Sequence, residues 1–371
     1  MREIKIYCIT FHDVHDIPSL LKYLHIGGLD IAKNFVWDEE NPEYLIITEA
    51  IYIKTACMKK FKYLLAKNPI TIFFAGEAVY PDLNLCDYAV AMSRKFILSD
   101  RITRLPTNIF YETDSDAKEN NITFEQAKNL LREDKLRFCS FIYSNNHAYP
   151  IRDKLFYALS NYKHVDSLGP HLNNVGTLIG GGRNAEGWQE LSVKIKSKYK
   201  FSIACENACF EGYITEKLLT SFQAHAVPIY WGDKDVAQEY NPEAFINCND
   251  YDNIDDLIKR VKEIDENSEL WAHIVSQPWQ TESQKKASIN EYEQYKNFFT
   301  RIFTAPISEA RRLPQGSWNK TYKDFFFDRE MIGDKDFFSR LHRVFHEPAR
   351  LMVKLRDKTM KRTPFEEFFN D

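Results

Sequence analysis

The regular alternation of short apolar runs with amphipathic helical patterns limits the fold of this chain more than any other feature. The runs IKIYCIT (4–10), YLIIT (44–48), ITIFFAG (70–76) and YAVAM (88–92) come first. After a polar gap follow RFCSFIY (137–143), HVDSLG (164–169), FSIACEN (201–207), VPIYWG (227–232) and FINCN (245–249). Between them lie IPSLLKYLHI, TACMKKFKYLLAK, IRDKLFYALSNY, WQELSVKIKSKY and IDDLIKRVKEI, whose apolar residues recur at helical spacing. Strands alternating with helices argue for parallel sheets in α/β domains, and nearly continuous apolar strands fit sheets covered on both faces. A chain of 371 residues exceeds one ordinary core and suggests two domains of about 150 residues each. The polar segment ETDSDAKENNITFEQAKNLLREDK (112–135) carries no strand pattern and is the expected break. The expected division is therefore 1–135, 136–330 and a separate tail, 331–371.

Hydrophobic content of 44% with 27% charged residues is that of a soluble globular protein. The net charge of −4 gives no support to nucleic acid as a partner, which would favour a strongly basic domain. Cys8, Cys57, Cys86, Cys139, Cys205, Cys209 and Cys248 are odd in number and mostly solitary inside apolar runs, a pattern of buried thiols in a reducing compartment. No apolar stretch reaches the roughly 18–20 residues of a transmembrane helix. The N-terminal MREIKIYCITFHD enters a strand-like run without a signal-peptide core, so the expected location is the cytoplasm and the sequons at Asn121 and Asn319 are expected to be unused. The tail interleaves Phe337, Phe338, Leu341, Phe345, Leu351, Met352 and Leu355 with Arg340, Arg343, Arg350, Lys354, Arg356, Lys358, Lys361 and Arg362. A basic amphipathic segment of this kind, spanning 335–362, either lies on an anionic membrane surface at the inner face or packs on the body with its basic side solvated. The sequence leaves both open.

The stretch GYITEKLLTSFQAHAVPIYWGD (212–233) begins as a loop, becomes a helix and ends as a strand. Thr215 is placed to cap or open the helix, and Leu218, Leu219, Phe222 and Ala226 give it an apolar face. The preceding strand ends in Cys205-Glu206-Asn207, so the loop 206–214 lies at a strand's carboxyl end, where open α/β sheets bind ligands. Free amide N–H groups and the positive dipole end favour a phosphate there. Lys217 in the first turn adds a full positive charge that an anion would offset. Glu216 could accept hydrogen bonds from ribose hydroxyls, and Tyr213 could stack on a ring. Together these read as a nucleotide-diphosphate site; the plainer alternative is a capped helix with surface charges.

The run CENACFEGYITEKLLTSFQAHAVPIYWGD resembles the signature of the α-1,3-fucosyltransferase family, of the form FENS…GY(I/V)TEK…(I/V)P(I/V)YWG. Ala204, Cys205 and Ala208 depart from the usual residues, at packing rather than charged positions. A weaker resemblance runs from FFAGE (73–77) through PDLNLCDYAVAM, RFCSFIYSN and HVDSLG to FINCNDY, covering roughly 70–255. It implies the GT-B arrangement: two facing Rossmann-like α/β domains with an active-site cleft between them, the N-terminal one binding acceptor and the C-terminal one binding GDP-fucose. It also implies inverting transfer of L-fucose to a hydroxyl, O3 in the reading favoured, of N-acetylglucosamine in a glycan such as N-acetyllactosamine of a bacterial surface polysaccharide. By the motif match Tyr213, Glu216 and Lys217 would contact the donor with Asn207 nearby, and Arg152 in YPIRDKLF would bind the diphosphate. A guanidinium fork suits a pyrophosphate and opposes charge growing on the departing GDP. Glu77, closing TIFFAGE, matches the family's catalytic base.

Other signals are weaker. Asp114-Ser-Asp116 and Asp250-Tyr-Asp252 spell the D-x-D pattern that holds a divalent metal in other glycosyltransferases, but Arg152 and Lys217 could already neutralise the diphosphate, and no metal or other cofactor is expected. Gly180-Gly181-Gly182-Arg183 lacks the GK[ST] of a phosphate loop. Two rival readings stay open: a GT-B transferase using another nucleotide sugar, and a non-catalytic nucleotide-sugar or glycan binder.

Overall fold

The computed structural model describes residues 2–10, 12–96, 100–105, 121–133, 136–179, 187–313, 316–333 and 361–363. Asp114 and Asp116, the 180–183 run, and the tail residues 334–360 and 364–371 lie outside the described residues. The described residues fall into two compact units: the chain up to 105 with 288–333, and 121–287 with 361–363.

In the first unit the strands are β1 (Ile4–Ile9), β2 (Phe35–Trp37), β3 (Tyr44–Ile47), β4 (Ile70–Phe74), β5 (Tyr88–Ala91) and β6 (Ile102–Arg104). They pair in parallel in the order β2-β1-β3-β4-β5-β6. Every residue of β3, β4 and β5 is buried, as strands covered on both faces require. On one face Leu45, Ile47 and Phe73 pack with Met58, Phe61 and Leu64 of the Thr55–Leu65 helix. On the other, Phe303 of the Glu282–Thr304 helix packs edge-on against Phe35 at 4.8 Å and Tyr44 at 4.9 Å.

The strands of the second unit are β7 (Arg137–Phe141), β8 (Val165–Ser167), β9 (Thr177–Ile179), β10 (Tyr199–Cys205), β11 (Val227–Trp231) and β12 (Ile246–Asn247). Five of them form a parallel sheet, β12-β11-β10-β7-β8. Alternate residues of β10 face opposite ways. Phe201, Ile203 and Cys205 join Leu155 and Leu159 of the Ile151–Ser160 helix and Val261 of the Ile254–Glu266 helix, while Ala204 joins Leu218, Leu219 and Phe222 of the Glu216–Gln223 helix. A further strand, β13 (Lys361–Thr363), pairs in parallel with β9.

Both sheets begin with the doubly wound order 2-1-3-4-5 when strands are counted within each sheet. The order reverses between β1 and β3 in the first and between β7 and β10 in the second. Open α/β sheets bind ligands outside the carboxyl ends of the strands at such a reversal.

The α/β expectation holds in both units, and the nine apolar runs named above are strands at their cores. The linear division at 135 does not describe how the chain packs. The Phe124–Glu133 helix, inside the expected linker, inserts Ala127 into the second core. Residues 288–333 leave the second unit: Tyr295, Phe298, Phe299, Ile302 and Phe303 are buried in the first, and Phe327 joins its core beside Phe61. Aromatic residues on one side of these last helices need a sheet to cover, and the first sheet provides the face. The expected tail is also not uniform, since residues 331–333 end the Ser317–Gly333 helix and Lys361 and Arg362 are in β13. β2 and β6 were missed because three-residue edge strands carry too little periodicity to be seen. All seven cysteines are free, and no described helix is long and apolar enough to cross a membrane.

Candidate functional site

The loops that leave β7 and β10 flank the reversal point of the second sheet and carry its densest set of charges. Glu206, the first residue beyond β10, is fully buried. Its carboxylate accepts from Thr215 N at 2.8 Å, from Thr215 Oγ1 at 2.9 and 3.0 Å, and from Lys217 Nζ at 3.2 Å. Burial raises the pKa of Glu206 against the pull of Lys217. Thr215 stands at the N-cap of the Glu216–Gln223 helix in extended conformation, yet its side chain makes no capping hydrogen bond because its hydroxyl is engaged by Glu206 and Lys217. Lys217 Nζ donates to Thr215 Oγ1 at 2.8 Å and Glu216 Oε1 at 3.3 Å as well as to Glu206, which accounts for the three donors of an ammonium. Burial works against the charge on Lys217, and the carboxylates of Glu206 and Glu216 more than offset that, so its pKa lies above the ordinary value. The offset expected from an external anion is thus already supplied in part from within the chain. Of the two carboxylates, Glu216 is the more exposed.

Arg152 opens the Ile151–Ser160 helix and is 1% exposed. Its guanidinium lies 4.0 Å over the Tyr143 ring and donates to Cys205 O at 3.1 Å, Asn207 Oδ1 at 2.8 Å and Asn145 O at 3.3 Å. All three acceptors are neutral, no carboxylate pairs with it among the described residues, and its Nε is buried without a partner. A buried cation without a counter-ion is costly. Arg152 also stands close enough to Lys217 for the two charges to repel. Lys217 is already shared by two carboxylates, so Arg152 is the cation of the two that is placed to receive an anion.

The surrounding loop is pinned in place. Gly212 adopts φ 71°, and its N–H donates to Asp233 Oδ2 at 3.0 Å. At Gly232 a Cβ would fall 2.5 Å from Tyr230 Oη and 2.7 Å from Glu206 Cγ, so no larger residue fits against the buried carboxylate. Below the helix, Lys196 Nζ donates to Lys217 O at 3.1 Å, Thr220 Oγ1 at 2.7 Å and Ser221 Oγ at 3.1 Å. Burial lowers its pKa to about 7.

The structure brings Arg152 and Asn207 together, and Glu216 and Lys217 together, at this one reversal point. Tyr213 is different: at 2% exposure it is buried and offers no ring face to a ligand. The stacked pair at the surface is Tyr149 on Trp231, with centroids 5.1 Å apart; Tyr149 is 60% exposed, and its N–H donates to Asn207 O. Sequence reasoning missed this pair, along with Lys196, Asp233 and the part Glu206 plays as an internal counter-ion. The YWG and ENA segments signalled a loop, not which atoms meet. Asp250 accepts from Asn247 Nδ2 at 3.0 Å, and among the described residues no three His, Cys, Asp or Glu side chains converge as a metal would require. In the first unit, Glu77 follows β4, and its N–H donates to Glu49 Oε1 at 2.8 Å.

Comparison with known proteins follows the same residues. The family model described as Glycosyltransferase family 10 (fucosyltransferase) C-term matches residues 132–311. The chain is 31% identical over 236 residues to an alpha-(1,3)-fucosyltransferase of Helicobacter pylori, covering 54% of this chain and 45% of that protein. It is 32% identical over 132 residues to an alpha-(1,4)-fucosyltransferase of Arabidopsis thaliana, covering 33% of each. The match therefore spans less than half the length of these curated relatives. The fold is similar to a crystal structure of an alpha1,3-fucosyltransferase, with a TM-score of 0.65 and 22% identity, covering 85% of this chain and 93% of that one.

Proposed function

We propose, from the premise that residues 132–311 belong to glycosyltransferase family 10, that the chain moves L-fucose from GDP-fucose to O3 of N-acetylglucosamine in a glycan such as N-acetyllactosamine. The observation that best supports this reading is the pair of neighbouring cations, Arg152 and Lys217, held where the order of the second sheet reverses. Twin phosphates are the ligand chemistry that such a pair meets. The second unit is assigned the donor and the first the acceptor. Arg152, Asn207, Glu216 and Lys217 are assigned contact with GDP-fucose, and Tyr213 the anchoring of the loop that carries them. Lys217 would exchange its outermost bond, to Glu216, for a phosphate oxygen, freeing Glu216 for hydroxyls of the donor.

The step is an inverting displacement. The acceptor oxygen bonds to the anomeric carbon as that carbon's bond to the diphosphate breaks and its electron pair leaves with GDP. Glu77 takes the proton of the acceptor hydroxyl. Arg152 and Lys217 stabilise the charge growing on the leaving diphosphate and are proposed to do so without a metal ion. Acceptors on a surface polysaccharide, and peripheral contact of residues 335–362 with the inner face of a membrane, belong to the same proposal.

The test is incubation with GDP-fucose and a small acceptor panel, with and without chelator, followed by NMR of the product. An α-1,3-linked fucose, unaffected by chelator, is the expected product. Turnover only with another nucleotide sugar would hand the chain to that rival. GDP binding without transfer to any acceptor would leave it a binder. Pelleting with anionic liposomes that survives deletion of 335–371 would remove the membrane contact.

A further inference from the structure

Glu77 has a second carboxyl beside it that the reaction as written does not use. Glu49 follows β3, at the point where the order of the first sheet reverses, and is 3% exposed. It precedes the short Ala50–Ile53 helix but makes no capping hydrogen bond to it. Its Oε1 instead accepts the N–H of Glu77 at 2.8 Å, while Oε2 is buried with no hydrogen-bond partner. No lysine, arginine or histidine pairs with it among the described residues. A glutamine would brace the Glu77 turn equally well without the cost of burying an ionisable group, so bracing alone does not explain a carboxyl here.

The surroundings leave the charge of Glu49 to one neighbour. Tyr23 faces it from the Ile17–Tyr23 helix, with Cys8 of β1 beside Tyr23, and Tyr52 from the Ala50–Ile53 helix. Burial drives all three well above their ordinary pKa values, so they stay neutral. Burial raises the pKa of Glu49 itself to about 7, and the charge of Glu77 pushes in the same direction.

Resting on the assignment of Glu77 as base, we propose that Glu49 is its positioning residue: its carboxylate holds the Glu77 backbone N–H, and its buried charge is felt by the Glu77 carboxylate as the acceptor proton arrives. When the acceptor oxygen bonds to the sugar, its proton passes to Glu77. Repulsion between the two carboxylates is relieved at that moment, which favours the transfer. The proton returns to water once product leaves.

Two measurements on the full chain test this. The first follows isotope-labelled glutamate carboxyls by NMR as pH is varied. The wild-type chain should show one signal titrating near neutrality that is missing from Glu49→Gln, and its midpoint should fall in Glu77→Gln. A midpoint unmoved by Glu77→Gln overturns the coupling, and that comparison stands even if Glu49→Gln folds poorly. The second is the pH profile of kcat/KM with GDP-fucose and N-acetyllactosamine. Glu49→Gln keeps the bond to Glu77 N but not the charge. It should lose the rise through neutrality and about tenfold in kcat, with KM for GDP-fucose unchanged. An inactive Glu77→Gln beside a Glu49→Gln that matches wild type at every pH would overturn the positioning role alone. An active Glu77→Gln would overturn the base assignment and this proposal with it.

Discussion

The two units share a doubly wound parallel sheet but treat buried charge in opposite ways. In the second, Glu206, Thr215 and Lys217 close on one another, and Lys196 is satisfied by three oxygens of the helix above it. Arg152 is held by neutral oxygens, with no carboxylate paired to it among the described residues. In the first, Glu49 and Glu77 stand together with no cation paired to Glu49. A pre-arranged set of crossed bonds holds its side chains in place, as holding a ligand requires. A buried carboxyl without a cation among the described residues, beside the residue assigned as base, suits proton chemistry on the proposed reading. On the proposed reading, one layout serves binding in one unit and proton chemistry in the other.

The contrast breaks most visibly at Glu77. Glu77→Gln should lower transfer by about a hundred- to ten-thousandfold while leaving GDP affinity by calorimetry as it was. A parallel loss of GDP binding would mean that the proton-taking and ligand-holding roles are not separated as described. Lys217→Met should have the next largest effect. Removing a charged donor costs about 1.5–3 kcal/mol, so GDP should bind tenfold or more weakly, and Glu206 is left buried without its cation. Unchanged affinity in titration calorimetry would place the diphosphate elsewhere.

Gly232→Ala probes the rigidity of the second unit. A methyl group 2.5 Å from Tyr230 Oη and 2.7 Å from Glu206 Cγ should cost about 1–3 kcal/mol in denaturant unfolding. Wild-type stability would show that the loop is not pinned. Lys196→Met gives the most pH-dependent change. The folded chain releases this proton near pH 7 and the unfolded chain near the ordinary lysine value of 10.5. Between those values the unfolded state binds more protons, so Lys196 makes stability rise with pH, by up to about 1.4 kcal/mol per unit. Denaturation curves of Lys196→Met should lack that rise, whereas identical slopes would mean that Lys196 stays charged under the helix.

Much of this molecule was legible in its residues because the signals are local. Apolar runs at strand length and helical spacing marked the elements, and a run such as GYITEK marked a strand-to-helix loop with its Lys217 and Glu216. The same locality explains what stayed hidden. Strand order depends on pairing between distant segments, so neither reversal point could be read, and with them went the reason Arg152 and Glu206 meet. The Glu282–Thr304 helix carries a clear aromatic side, but only folding determined that it would cover the first sheet. Nothing local in the sequence sets Glu49 apart. Its isolation is a property of everything packed around it, because the cost of a buried charge is set by neighbours that the sequence lists far apart and only the tertiary structure brings together.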